Sequence, residues 1–265
     1  MGFIAKLEYA TATNIGTRDT NQDRVLAKTG HIMTPDDPSD MPCGVFCVAD
    51  GMGGLQEGEL AASVTVDAID TWWDTDFMGL NLKNAEVLDS FFNIFQEIND
   101  KIRSTVKNGS VLSGTTCSLL LIQGSQYYIA HTGDSRIYLA EQKLFVFPST
   151  LNLLTEDHNW ITDQMKKAKL SPSDIAKHPK RNMLTSCLGA FEKPRIFTHS
   201  GTIRKPCTFI LCSDGLYKTV TNREIAAMAR RYKDSKILAD NYINRALKKN
   251  ATDNISAVVI KVNRK

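Results

Sequence analysis

The sequence lacks the features that mark membrane, secreted and nucleic-acid-binding proteins. Its 265 residues include 32 basic and 29 acidic side chains, and the net charge of +3 is too balanced to predict binding to nucleic acid. No apolar run approaches the length of a transmembrane helix, and the N-terminus has no apolar core of a signal peptide. We therefore expect a cytoplasmic protein that binds neither nucleic acid nor membranes.

Motifs for thiol, zinc and nucleotide chemistry are also missing. None of the six cysteines forms a C-x-x-C pair or starts a C-x5-R motif, so we expect them to be buried and reduced. Disulfides or a cysteine zinc site are the alternatives. The five histidines show no zinc-ligand spacing. The glycine-rich run at 51–54 fails the dinucleotide pattern at Gln56, and the sequence has no P-loop.

The hydrophobic period changes clearly along the chain. A helical period predicts helices over 57–74, 84–107, 158–168, 172–177, 222–231 and 235–249. Shorter apolar or alternating runs predict strands over 4–12, 23–28, 44–49, 115–122, 126–131, 136–140, 144–147, 195–203, 207–212 and 254–262. Because the strands cluster rather than alternate with helices, the order favours an α+β fold with largely antiparallel sheets.

Two segments carry more specific structural expectations. The prolines and aspartates of residues 31–42 predict an exposed loop. In the first helix, Leu60, Val64 and Ala68 lie at helical spacing and Trp72 continues the same face, so we expect this face to be buried.

Aspartates stand at the ends of the apolar strands. Asp50 and Asp214 each end such a strand and precede a glycine, Asp23 begins a predicted strand, and Asp253 precedes the last one. A single aspartate in such a place is ordinarily a turn residue. Four carboxylates that converge would repel one another, however, and a divalent cation would relieve the repulsion. Oxygen ligands suit Mg²⁺ or Mn²⁺, and the backbone of Gly51 is free to approach such an ion.

In this order the motifs resemble those of the PP2C/PPM family of metal-dependent protein phosphatases, in its bacterial form. The matching segments are Gly16-Thr17-Arg18, Asn21-Gln22-Asp23-Arg24, Asp50-Gly51-Met52-Gly53-Gly54, Ser113-Gly114-Thr115-Thr116, Gly133-Asp134-Ser135-Arg136, Leu154-Thr155-Glu156-Asp157-His158, Ser213-Asp214-Gly215-Leu216 and Asp253-Asn254. The resemblance implies a four-layer α-β-β-α sandwich of two largely antiparallel sheets flanked by helices. It implies one domain over residues 1–265, with a flap subdomain at about 150–190.

The resemblance also implies the ligands of a metal centre. Asp23, Asp50, Asp214 and Asp253 match the family's metal-binding aspartates, and Gly51 matches its carbonyl ligand. These residues would hold two ions of Mn²⁺ or Mg²⁺, and the four aspartates are the predicted catalytic residues.

Other matched positions extend the implied site. Arg18 matches the arginine that binds the substrate phosphate, and a guanidinium can do so with two hydrogen bonds. Asp134 matches an aspartate that binds a third, weaker metal ion together with the residue matching Asp214; a residue of a tight turn is the alternative. Met52 stands where many eukaryotic relatives have a histidine general acid, and Gln22 replaces a common glutamate. The general acid is therefore unassigned.

The implied reaction is the hydrolysis of phosphoserine and phosphothreonine in proteins. The nucleophile would be a water that bridges the two ions, without a phosphoenzyme intermediate. The expected partners are phosphoprotein substrates and a cognate serine/threonine kinase with its targets, and the expected state is a monomer. Two alternatives stay open: a pseudophosphatase or regulatory binding module, and a phosphatase for a small metabolite.

Overall fold

The computed structural model describes residues 5–34, 37–54, 57–78, 84–105, 113–141, 150–166, 174, 178–181 and 183–264. The strands in chain order are β1 (Ala5–Asn14), β2 (Asp23–Thr34), β3 (Asp37–Met52), β4 (Gly114–Thr115), β5 (Cys117–Gln123), β6 (Gln126–Thr132), β7 (Arg136–Glu141), β8 (Thr150–Leu153), β9 (Phe197–Thr202), β10 (Cys207–Cys212) and β11 (Ile255–Arg264). The α-helices are α1 (Glu57–Trp72), α2 (Asn84–Thr105), α3 (Trp160–Lys166), α4 (Asp214–Tyr217), α5 (Asn222–Arg231) and α6 (Ser235–Lys248).

The strands form two antiparallel sheets. In the first sheet the order is β1-β11-β10-β7-β8, so the first and last strands of the chain are neighbours. The second sheet has the order β2-β3-β5-β6-β9, and β4 pairs with the end of β3. The predicted α+β class with antiparallel sheets is confirmed.

The β3 strand shows why the sheets stack into four layers. Its side chains alternate between two cores: Val45 and Cys47 pack towards α1 and α2, whereas Phe46 and Val48 pack between the sheets. The first sheet is covered on its outer side by α5 and α6. Because both faces of a central strand are buried, its sequence is continuously apolar rather than alternating. The layers follow in the order helices, sheet, sheet, helices, as the resemblance implied.

The α2 helix buries its apolar stripe as predicted. Val87, Phe91, Phe95 and Ile98 are fully buried against the second sheet. Val106, in the last turn of the predicted helix over 84–107, lies outside the described residues.

The face predicted for α1 was wrong. Leu60 is 45% exposed, and the buried face is formed by neighbouring positions such as Ala61 and Ile69. Val64 and Ala68 lie at its border, while Trp72 is buried. The α2 helix and the sheet determine which side of α1 faces inwards, and that direction cannot be deduced from the helical period of α1 alone.

The loop predicted over residues 31–42 was also wrong. The structure continues β2 to Thr34 and starts β3 at Asp37, so the segment belongs to a long hairpin. The register of β3 with β5 begins at Cys43. Residues 37–42 therefore extend beyond that register as an edge, where proline is tolerated because a lost backbone donor costs little.

Smaller differences concern short elements. The structure adds β8, the four-residue helix α4 and a π-helical turn over Trp73–Phe77, none of which the sequence predicted. The predicted strand 144–147 lies outside the described residues, as does the predicted helix 172–177 apart from residue 174. All six cysteines are buried thiols, as expected. Among the helices that the structure describes, none is long and apolar enough to cross a membrane.

Candidate active site

The predicted metal-binding aspartates meet at one end of the sandwich, where both sheets contribute strand ends. Asp23 at the start of β2 lies opposite Asp50 near the end of β3, so the two side chains share one face of the sheet. Asp214 follows β10 and Asp253 precedes β11, the neighbouring strand. A cleft of about 260 Å³ at this end is lined by Arg18, Gln22, Asp50, Gly51, Met52, Gly53, Thr116, Asp134, Leu184, Asp214, Asp253 and Asn254.

Asp23 is the most enclosed of these carboxylates. It is 3% exposed, and its Oδ2 accepts a hydrogen bond of 2.7 Å from the Ser213 hydroxyl. Its Oδ1 is buried and has no hydrogen-bond partner among the described residues. Burial raises the pKa of Asp23 to about 6, although hydrogen bonds from Ser213 and Ser256 oppose the rise. A buried carboxylate oxygen without a partner indicates that a cation or donor belongs beside it.

The carboxyl groups of Asp50 and Asp134 both have raised pKa values. Burial raises the pKa of Asp50 well above its ordinary value, and the charges of Asp23 and Asp214 raise it further. Burial also raises the pKa of Asp134 to about 7; Asp214 adds to this rise and Lys218 opposes it. Burial is the larger cause of these raised pKa values and the neighbouring carboxylates add to it, so the ionised forms are disfavoured unless a cation lies nearby.

Two cations of the chain offset part of this charge. The Arg18 guanidinium donates two hydrogen bonds of 2.9 Å to the carboxylate of Asp253. The Lys218 ammonium donates to Asp214 and lies 3.9 Å from Oδ2 of Asp134. Within the part of the chain that the structure describes, no three acidic, histidine or cysteine side chains already form a metal-binding group. Asp214 and Asp253 are therefore turned towards cationic side chains of the chain itself.

The backbone of Gly51 is packed tightly into the cleft wall. A Cβ atom at this position would lie 2.1 Å from the carbonyl oxygen of Gly58 and 2.9 Å from that of Gln22. The Gly51 N–H donates to the Gln22 carbonyl over 3.2 Å. Only glycine fits here, because any side chain would push the β3 end away from the loop that carries Gln22.

The donor set of the cleft fits hard divalent cations. It offers carboxylate oxygens and a closely approaching backbone segment, the ligand types that Mg²⁺ and Mn²⁺ prefer. The partnerless oxygen of Asp23 and the raised pKa values of its neighbours are observations that a bound cation would account for.

A sequence comparison decides the family. The sequence model of protein phosphatase 2C matches residues 8–163 and 187–255, which is most of the chain. The chain belongs to this family. The predicted protein serine/threonine phosphatase is thereby confirmed at the level of the family, and every aspartate of the cleft lies within the matched residues.

Individual relatives agree with this assignment. The serine/threonine phosphatase stp of Listeria welshimeri is 30% identical over 223 residues, which are 83% of this chain and 84% of that protein. The structure of the Streptococcus agalactiae serine/threonine phosphatase superposes with a TM-score of 0.80 at 26% identity, covering 96% of this chain and 99% of that one.

A more distant member of the family resembles the chain in fold. The catalytic domain of the serine/threonine protein phosphatase PstP, solved in complex with 2 manganese ions, superposes with a TM-score of 0.78 and covers 98% of this chain and 99% of that one. At 22% identity this likeness shows the fold alone.

Two residues at this phosphatase's candidate site were given no role by the sequence analysis. Asn254 accepts from the Gln22 N–H over 2.9 Å and donates to the Ile15 and Thr20 carbonyls over 2.9 Å each, so it fixes the loop that carries Arg18. Lys218 was missed although it follows Asp214 by four residues, a spacing that brings side chains together on a helix.

Proposed function

We propose that this phosphatase hydrolyses phosphoserine and phosphothreonine in proteins with two Mn²⁺ or Mg²⁺ ions, through a bridging water and without a phosphoenzyme intermediate. Asp23, Asp50, Asp214, Asp253 and the carbonyl of Gly51 would hold the ions. One observation carries the proposal: carboxylates from both sheets line one cleft, and Asp23, opposite Asp50 in the sheet register, keeps a buried oxygen without a hydrogen-bond partner among the described residues.

The chemistry follows from the charges of the cleft. A pair of divalent cations supplies hydroxide near neutral pH and neutralises the phosphoryl group of a phosphate ester. The aspartates bring to this step the fixed negative charge that attracts and orients the cations. Asp23 is held for this role by the Ser213 hydroxyl, and Asp50 by its place opposite Asp23 in the β2–β3 register.

Water is the proposed nucleophile because, among the described residues that line the cleft, none offers a thiol or an unengaged hydroxyl. The cysteines are buried. Thr116 lines the cleft, but its hydroxyl is engaged by Ser135 at 2.7 Å and by the Asp50 N–H at 2.9 Å. Met52 carries no acidic proton, so a water molecule in the cleft is also the proposed proton donor to the leaving group.

Arg18 is proposed to bind the phosphate of the substrate. Its side chain is 59% exposed at the rim of the cleft, and its guanidinium already holds one carboxylate with two parallel hydrogen bonds. The same geometry suits two phosphate oxygens. If Asp253 held a cation, its attraction for Arg18 would weaken and the guanidinium would be available to the substrate.

The shape of the cleft favours a protein substrate over a small metabolite. About 260 Å³ is small for a pocket that encloses a metabolite, and the lining is mostly charged and polar. Such a cleft suits a single phosphorylated side chain presented by a larger partner. Phosphoproteins made by a cognate serine/threonine kinase are the proposed substrates, and a monomer is the proposed active form.

A single domain with a flap at about 150–190 remains part of the proposal. The family match omits residues 164–186, which lie inside this range. Leu184 lines the cleft, which supports a flap that borders the site.

The deciding experiment measures metal-dependent turnover of defined substrates. Phosphoserine peptides, phosphothreonine peptides and a panel of phosphorylated metabolites are incubated with Mn²⁺, with Mg²⁺ and with EDTA. We expect turnover of both peptides that EDTA abolishes. The exposed Asp240→Asn variant on α6 serves as a control for charge loss and should match the wild type.

Each alternative function has its own signature in this assay. Turnover of metabolites without turnover of peptides would replace the proposal by a metabolite phosphatase. Absence of metal-dependent turnover on every substrate would favour a pseudophosphatase that acts by binding.

A further inference from the structure

The Lys218 ammonium lies where the sequence predicted a third metal ion. That ion was expected between Asp134 and Asp214. In the structure, Lys218 donates a close hydrogen bond to Oδ2 of Asp214, and its Nζ is 3.9 Å from Oδ2 of Asp134. Its positive charge therefore stands at the two carboxylates that a further cation would need.

The position of Lys218 is fixed by its own helix turn. Its backbone N–H donates to the Asp214 carbonyl over 3.0 Å, which closes α4. The preceding residue, Tyr217, lies under the Arg136 guanidinium at 3.8 Å from the ring centre, and Arg136 is held by two hydrogen bonds of 2.9 and 2.7 Å to Asp157. A chain of cation–π and ionic contacts thus anchors the backbone from which the Lys218 side chain extends.

The charge balance favours an ammonium ion that stays in place. Asp134 is 6% exposed and the Asp214 side chain is 14% exposed, so both carboxylates have lost much of their water. A divalent ion that approached these carboxylates would meet the repulsion of a cation already paired with them.

We propose that Lys218 is a built-in cation that takes the place of a third metal ion at Asp134 and Asp214. The inference rests on the proposed two-metal function, because it assigns Lys218 the role of positioning Asp214 and of excluding further ions. Lys218 is thus a positioning residue that sets the number of ions bound.

Counting bound ions tests this role without measuring activity. Wild type, Lys218→Met and Lys218→Gln are titrated with Mn²⁺, and free Mn²⁺ is followed by electron paramagnetic resonance. We expect two ions bound to the wild type and three to each variant, with the additional site at least about tenfold tighter than any third-site binding of the wild type. Two substitutions are used so that a folding defect of one does not decide the result.

Two controls place the added ion at the proposed carboxylates. Combining Lys218→Met with Asp134→Asn should return the count to two, because one of the two carboxylates is then neutral. Lys236→Met removes another lysine that pairs with an aspartate four residues away, Asp240, on the exposed side of α6. This variant should keep the wild-type count.

The possible results separate the two proposals. Three ions on the wild type, or two ions on both Lys218 variants, would overturn the role of Lys218 while metal-dependent turnover of phosphopeptides remains. If Lys236→Met bound as many additional Mn²⁺ ions as Lys218→Met, that result would also overturn the role of Lys218. A wild type that binds no Mn²⁺ and turns over no phosphopeptide would remove both proposals.

Discussion

Two groups of charged residues lie on either side of the turn at Gly133, and they differ in how their polar atoms are satisfied. The first is the acidic cleft. The second, here called the support cluster, consists of His131, Arg136, Asp157 and His158. In the support cluster Arg136 binds Asp157 through two hydrogen bonds, and His131 contacts the Ser118 hydroxyl at 2.9 Å and the Gly133 carbonyl at 3.1 Å. Beside the cleft, Asp23, which lies opposite Asp50, keeps a buried oxygen without a hydrogen-bond partner among the described residues.

Similar residue types thus have opposite effects on stability in the two groups. A buried carboxylate such as Asp157 is costly on its own, and its hydrogen-bonded arginine partner offsets that cost. Carboxylates packed beside other carboxylates raise the free energy of the folded state unless a bound cation neutralises them. The cleft is therefore a binding site that costs stability, and the support cluster holds the turn that carries Asp134.

Asp50→Asn, which changes the acidic cleft, should give the largest effect. We expect kcat/KM on a phosphothreonine peptide with Mn²⁺ to fall at least about a thousandfold, equivalent to about 4 kcal/mol of transition-state stabilisation. In EDTA at pH 7.5, the unfolding free energy should rise rather than fall, because burial and like charges disfavour ionised Asp50. Urea unfolding measures this, and activity within tenfold of the wild type would contradict the assignment.

Arg136→Met, which changes the support cluster, should give the next largest effect. It leaves the buried Asp157 without its partner, so we expect a loss of about 3 kcal/mol in unfolding free energy. The matched control is Arg195→Met, which breaks a more exposed pair with Asp163 and should cost less than about 1 kcal/mol. Adding Asp157→Leu to Arg136→Met should recover part of the loss. Equal costs for the two arginine variants would remove the distinction between the clusters.

Arg18→Ala should separate activity from stability. The Arg18–Asp253 pair is exposed, so the unfolding free energy should change by less than about 1 kcal/mol. The kcat/KM on phosphopeptides should fall about 10- to 100-fold, the value of charge-assisted hydrogen bonds to phosphate. A loss of stability with unchanged kcat/KM would instead make Arg18 a structural partner of Asp253.

His131→Gln should give the smallest effect, seen only as pH dependence. Burial lowers the pKa of His131 to about 3, with further lowering from His158 and Arg136, against hydrogen bonds to the Gly133 and Glu156 backbones. Between pH 6.5 and 3, His131 therefore binds a proton in the unfolded chain but not in the folded chain. The unfolding free energy falls as the pH drops through this range.

The size of that effect follows from the unfolded pKa. From pH 7 to 5.5, the wild type should lose about 1 kcal/mol more unfolding free energy than His131→Gln. Urea unfolding in EDTA at both pH values measures the difference. The variant keeps an amide that can contact Ser118 and Gly133, so the comparison isolates the proton. Parallel pH dependence of the two proteins would show that His131 does not resist protonation.

The sequence was informative wherever local chemistry decides the outcome. Apolar runs that end in aspartate mark where strands leave the core, and the order of the motifs identified Asp50 and Asp214. The α+β class followed from the clustering of strands. The loop predicted over 31–42 failed because pairing within the long β2–β3 hairpin overrides the local preference of proline at an edge.

Sequence alone determined the kind of groups in this phosphatase: carboxylates at strand ends, an arginine nearby and a glycine in the turn. Tertiary structure decided which groups touch. It placed Asp23 opposite Asp50, paired Arg18 with Asp253 across 235 positions, and directed Lys218 towards Asp134 as well as Asp214. The physical reason is that the electrostatic energy of each group depends on its distances to other charges. Packing of the two sheets sets these distances, and no local sequence pattern records them.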